Sequence, residues 1–115
     1  MFVGHISDLE HVFYNDNNIK NVVKQVAIGK NEGWKDYVLR VFTVKNGGYT
    51  PRHTHDWPHI NYILSGEGTL YLNGELHNVK TGSIAYIPNN VEHQFMADRN
   101  SDIQFICIVP EKGEY

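Results

Sequence analysis

The sequence predicts an all-β fold, a sandwich or barrel of short strands. Three observations carry that expectation. Apolar or alternating segments recur with turn residues between them, roughly every eight to twelve positions, the pattern of such folds. The composition includes 7 Tyr, 5 Phe and 10 Gly, which suits aromatic-rich strands joined by tight turns. No long helix-periodic stretch, internal repeat or interdomain linker interrupts the pattern.

The elements follow in order. Residues 1 to about 20 are polar and mixed, and Asn15-Asp16-Asn17-Asn18 reads as a loop. Ser7-Asp8-Leu9-Glu10 can open one helical turn, which nothing sustains. Asn21 to Ile28 is a first strand, closed by the Gly29–Gly33 segment. Asp36 to Val44 is a stronger one, closed by Asn46-Gly47-Gly48. Tyr49 to His55 is extended, and His59 to Leu64 is a strand ended by Ser65-Gly66-Glu67-Gly68. Thr69–Leu72 and Glu75–Val79 flank Asn73-Gly74, the dipeptide favoured in two-residue type I′ hairpin turns. Ser83 to Ile87, Val91 to Ala97 and Asp102 to Val109 complete nine segments, separated by Pro88-Asn89-Asn90 and Asp98-Arg99-Asn100-Ser101.

Size and charge bound the function. At 115 residues the chain is one domain, 1–115, with room for a single core. A net charge of -3 argues against nucleic acid or an anionic membrane as the main partner. One cysteine allows no internal disulfide and fits a reducing compartment. The opening residues show no signal peptide, and no apolar run approaches a membrane span, so a soluble cytoplasmic protein is the expectation.

Chemistry concentrates in His53-Thr54-His55-Asp56-Trp57-Pro58-His59 and in His93. Imidazole is the commonest neutral ligand for transition metals. On an extended strand His53 and His55, two apart, leave the same face, whereas helical ligand pairs stand three or four apart. The pattern points to a metal held against the inner face of a sheet. A chance cluster on an exposed loop is the alternative at this point. His5, His11 and His77 read as solvated surface residues.

The residues also carry a family resemblance. Gly48-Tyr49-Thr50-Pro51-Arg52-His53-Thr54-His55, continuing to Gly66-Glu67-Gly68, resembles the first motif of the cupins. Gly82 through Pro88, Asn90 and His93-Gln94-Phe95 resembles the second. The resemblance covers about 37–109, with 1–36 an added N-terminal strand and loop. It implies a double-stranded β-helix, a jelly-roll barrel closed around a metal pocket. Two departures matter. The glutamate usual in the first motif falls on Ile60, and Asn90 stands where glycine is usual, a residue that tolerates the left-handed backbone. Similar small cupins with a Trp-x-His stretch have an all-histidine site. The resemblance therefore implies His53, His55, His59 and His93 as ligands of one divalent Mn, Fe, Ni, Zn or Cu ion, with His59 in place of the glutamate. Such a site keeps about one more positive charge than a three-histidine, one-glutamate site, and so is the stronger Lewis acid.

Strand alternation and the same resemblance place Arg40, Phe42, Asn61, Phe105 and Cys107 toward the pocket. Arg40 reads either as an anion clamp or as a surface or interface charge. Phe105 reads as core and Cys107 as an inert buried thiol, with a reactive thiol as its alternative. Trp57 and Tyr62 read as packing residues. Opposite the ligand face, Ile60, Tyr62 and Leu64 form an apolar row, and the first strand lacks a neighbour, so a homodimer is expected. The leading functional expectation is a metal-dependent, dioxygenase-like enzyme acting on a small organic molecule. The alternatives are a non-redox metal isomerase or hydrolase and a non-catalytic binding or sensing module.

Overall fold

The structure, a computed structural model, describes residues 1–114. Those residues contain nine strands: β1 (Val12–Tyr14), β2 (Lys20–Ile28), β3 (Tyr37–Tyr49), β4 (His59–Ser65), β5 (Glu67–Leu72), β6 (Glu75–Lys80), β7 (Ile84–Ile87), β8 (His93–Ala97) and β9 (Ile103–Pro110). Single turns of 3-10 helix at Ile6–Asp8, Lys30–Glu32 and Glu111–Gly113 are the only helical pieces among them. No helix is long and apolar enough to cross a membrane.

Every recorded strand pair is antiparallel. The order β6-β5-β8-β3-β9-β4-β7 makes one sheet, with β2 paired to β3 and β1 to β2. The sheet curls because β3 serves two parts of it. Residues 39–44 of β3 lie between β2 and β9, while Tyr49 pairs with Met96 of β8. Between these stretches Gly47 takes φ 72°, a left-handed conformation open to glycine. At Gly48 a Cβ would press on the Lys20 carbonyl oxygen. This glycine pair is therefore a bend inside one long strand, and the expectation that β3 ends at Val44 is corrected. Tyr49 is the last residue of β3, and between it and β4 only His53 touches a ladder, through a bridge to His93.

The other departures are local. β1 lies in the polar, mixed segment where no strand was expected, just before the Asn15–Asn18 loop, and its pairing along Val22–Lys24 supplies part of the edge that had seemed to need a second chain. The hairpin forms at Asn73 and Gly74 with φ 48° and 88°, the two positive values of a type I′ turn.

Alternation decides what faces inward. On β4, His59, Asn61 and Ile63 are buried while Ile60, Tyr62 and Leu64 are exposed. On β9 the buried set is Ile103, Phe105, Cys107 and Val109, and on β8 it is His93, Phe95 and Ala97. With Val22, Val44, Leu70 and Ile87 the apolar members of these rows build one core. Withdrawing each large apolar side chain from water stabilises the fold by about 1.5–3 kcal/mol. The polar members of the same inward rows gather at one end of that core.

Candidate metal centre

His93 opens β8, His59 opens β4, and His53 and His55 sit on the loop between β3 and β4. The bridge to His93 fixes His53, and Asn90 donates its backbone N–H to the His55 carbonyl at 2.8 Å. Asn90 accepts the left-handed conformation at φ 63°. His55 is thus held by a loop and not by the extended strand expected from its spacing. One donor atom from each of His53, His55 and His93 lies within 4.8 Å of the other two. Opposite donors of one ion lie at most about 4.2 Å apart for bonds of zinc–imidazole length, so small ring rotations close the triad on a cation.

The hydrogen bonds behind the rings set the tautomers. His93 Nδ1–H donates to the Val91 carbonyl at 2.8 Å, and His55 Nδ1–H to the Trp57 carbonyl at 2.9 Å. Asn61 Nδ2 donates to the Ile106 carbonyl at 3.2 Å, which leaves its Oδ1 to accept from His59 Nδ1 at 2.8 Å. Each of these imidazoles therefore presents an unprotonated Nε2 to the interior. His59 Nε2 and His93 Nε2 face one another at 3.1 Å. Two lone pairs at that distance repel unless a cation lies against both. This donor set fits a divalent transition metal.

Burial keeps the rings neutral. Desolvation first, then the neighbouring imidazoles, lowers His53 to about 4 and His59 to about 3. His55 and His93 are lowered too, mainly by burial. Among the described residues no aspartate or glutamate lines the cavity, so the imidazoles gathered there are neutral donors without a charge-compensating carboxylate.

The cavity around the centre is small, with about 50 Å³ of room for water-sized groups, and it opens to solvent. Arg40, Phe42, Phe105 and Cys107 line it. Asn61 is not part of the wall; it stands behind His59 and orients that ring. Phe42, Phe105 and Phe95 stack in series, with centroids 5.6 Å and 4.2 Å apart. Phe105 thus serves as both core and wall. Cys107 Sγ lies 3.0 Å from Arg40 Nη2 and 3.5 Å from His59 Nδ1. Burial pushes this thiol up, and the Arg40 guanidinium opposes that push. Tyr62 points outward.

Sequence reasoning missed part of the wall. Trp57 lies parallel to His55, with centroids 4.5 Å apart and an interplanar angle of 5°. Thr50 and Pro51, from the motif residues before His53, also line the cavity, as do Phe95 and Gly113. The period of β8 could have found Phe95, which lies two residues after His93. Nothing before Pro110 signals that the chain returns to the pocket at Gly113.

Comparison with known proteins agrees with this geometry. Residues 40–109 match the cupin domain family. Among solved structures, the polyketide cyclase RemF from Streptomyces resistomycificus superposes with a TM-score of 0.89 at 28% identity, covering 96% of this chain and 79% of that one. A cupin-2 domain protein from Rhodospirillum rubrum, Rru_A2000, gives 0.86 at 25% identity over 96% and 74% of the two chains. Over 62 residues, 54% of this chain, the sequence is 32% identical to the HTH-type transcriptional activator RhaR of Mannheimia succiniciproducens, but it spans 22% of that relative's length.

Proposed function

The chain belongs to the cupin domain family, and from that premise we propose that it is a metal-dependent enzyme acting on a small organic molecule, with His59 the fourth ligand beside His53, His55 and His93. The observation that carries this reading is the convergence of unprotonated Nε2 atoms, with His59 and His93 only 3.1 Å apart. Four protein ligands on a six-coordinate ion leave two positions for exogenous ligands. The bound ion would supply Lewis acidity and, where redox-active, electron transfer to O₂. The chain itself supplies the rest. Asn61 holds His59 in its ligand tautomer, the Phe42–Phe105–Phe95 stack excludes water, and Trp57 fixes the plane of His55.

A dioxygenase-like reaction is the first form of this proposal, because neutral ligands and open positions admit a chelating substrate together with O₂. The test is the metal content of natively purified protein, followed by oxygen uptake with a panel of enols and β-diketones. Iron or manganese with uptake supports it. Zinc or nickel with no uptake across the panel overturns it in favour of a non-redox enzyme, a reading that the likeness to a polyketide cyclase favours. The partial likeness to a transcriptional activator favours a sensing module, in which the pocket binds without turnover.

The same proposal includes a second copy of the chain. Ile60 and Tyr62 of β4 pair with Tyr86 and Ile84 of β7, and all four side chains are exposed. With Leu64 they form an exposed apolar face that a second copy would cover across a two-fold axis.

A further inference from the structure

Arg40 is 5% exposed, yet its donors are poorly matched. Its Nη1 reaches the Gly113 carbonyl and Glu114 Oε1, both at 3.4 Å, and its Nη2 reaches the Cys107 thiol at 3.0 Å. Its Nε is buried and has no hydrogen-bond acceptor among the described residues. A buried guanidinium normally secures short, paired bonds to oxygen. Among the described residues the one carboxylate within reach is Glu114, and its closer contact is to Lys24 Nζ at 2.9 Å. Glu114 comes from the segment after the last 3-10 turn, so this acid belongs to a terminal strap and not to the sheet. Arg40 lines the histidine cavity and is separated from His59 by the Cys107 thiol alone.

We infer that Arg40 is the anion-binding residue of this pocket, that the small molecule bound there carries a carboxylate or enolate oxygen, and that Glu114 is an internal anion competing for the same guanidinium. The inference deepens the proposed function and rests on its reading of the cavity as a small-molecule site. A ligand oxygen offers Arg40 the short bond that Glu114 does not make. The stacked phenylalanines beside it favour a flat, conjugated body behind that oxygen.

The test is calorimetric titration of zinc-loaded protein, its zinc content measured, with acetate, benzoate and salicylate against acetamide, benzamide and salicylamide. At least one carboxylate should bind the unaltered protein more tightly than its amide, by roughly tenfold or more, the scale of a hydrogen bond to a charged group. Arg40→Gln should abolish that preference with the zinc content unchanged. Should Arg40→Gln fail to fold, Arg40→Lys serves instead: it retains the charge, loses the fork, and should lose most of the preference. Glu114→Gln should have the opposite effect, tightening carboxylate binding several-fold. Equal binding of acids and amides, no binding of any acid at millimolar concentration, or an unchanged affinity in Arg40→Gln overturns the inference. Protein that takes up no zinc defeats the proposed metal function instead, and the same acid–amide comparison on that metal-free protein then decides the role of Arg40.

Discussion

At the residue scale the centre depends on partners that hold the imidazoles as much as on the imidazoles themselves. His93→Ala or His53→Ala should abolish stoichiometric metal binding, measured by elemental analysis after dialysis. His59→Ile should weaken binding and leave three imidazoles in place. An unchanged affinity in His59→Ile would place that ring outside the coordination sphere. Asn61→Leu is the subtler variant, since it removes the oxygen that fixes the His59 tautomer. It should lower metal affinity by roughly 10- to 100-fold while keeping the branched heavy-atom shape of the asparagine. Protons act on the same rings. Folded-state values of about 4 for His53 and about 3 for His59 lie below the ordinary 6.5, so the unfolded chain binds more protons as the solution is acidified. The metal-free protein should therefore lose stability as the pH falls from about 6.5 toward 4 and be steady above that window. Thermal melting in chelator at a series of pH values reads this directly, and a melting temperature flat across the window contradicts it. The clustering of His53, His55 and His93 was legible in the sequence because imidazoles are scarce and two of these stand two residues apart. The tautomer locks were not, because the Trp57, Val91 and Ile106 carbonyls are backbone atoms that any residue carries.

At the scale of single elements, the bend in β3 shows where local reading fails. Asn46-Gly47-Gly48 has the composition of a turn, and taken alone it ends a strand. In the folded chain it carries β3 around a corner, because the ladder partners continue beyond it on β8. Long-range pairing decides between these outcomes, and no window of a few residues contains that information. The same physics ranks two glycine substitutions. Gly74→Ala meets no atom within 4 Å and bears only the strain of φ 88°, a cost of about 1 kcal/mol. Gly48→Ala drives a methyl group into the Lys20 carbonyl oxygen and should cost more, about 2–3 kcal/mol. Denaturant unfolding of the two variants settles the order; equal losses would mean that the bend relaxes freely. Inward and outward residues of β4, β8 and β9 follow period-two alternation, and Arg40 and Phe42 of β3 line the cavity together with Phe105 and Cys107 of β9. Asn61 shares their inward direction but lies one layer behind the wall, a distinction of depth that alternation does not encode.

At the scale of the whole molecule, the β4–β7 face sets the expected assembly. Ile84 is 78% exposed and Tyr86 62%, a large apolar surface for a chain of 115 residues. Light scattering at micromolar concentration should return twice the 13.2 kDa chain mass. The double variant Ile60→Lys, Tyr86→Lys should return the single mass while keeping its metal, because neither side chain faces the cavity. A dimer that survives both lysines would assign the contact to another surface. That face also explains part of the sequence reading: the outward row of β4 was visible, whereas Ile84 and Tyr86 joined it only through the antiparallel register with β7.

The parallel stack of Trp57 on His55 gives the protein a built-in optical probe. An indole in van der Waals contact with a ligand ring loses its emission when a paramagnetic ion binds nearby, and keeps most of it when the ion is closed-shell. Titrating the metal-free protein with copper(II) and then with zinc, while following tryptophan fluorescence, should therefore report occupancy and spin character in one cuvette. Trp57→Phe would leave the emission to Trp34 and silence the response.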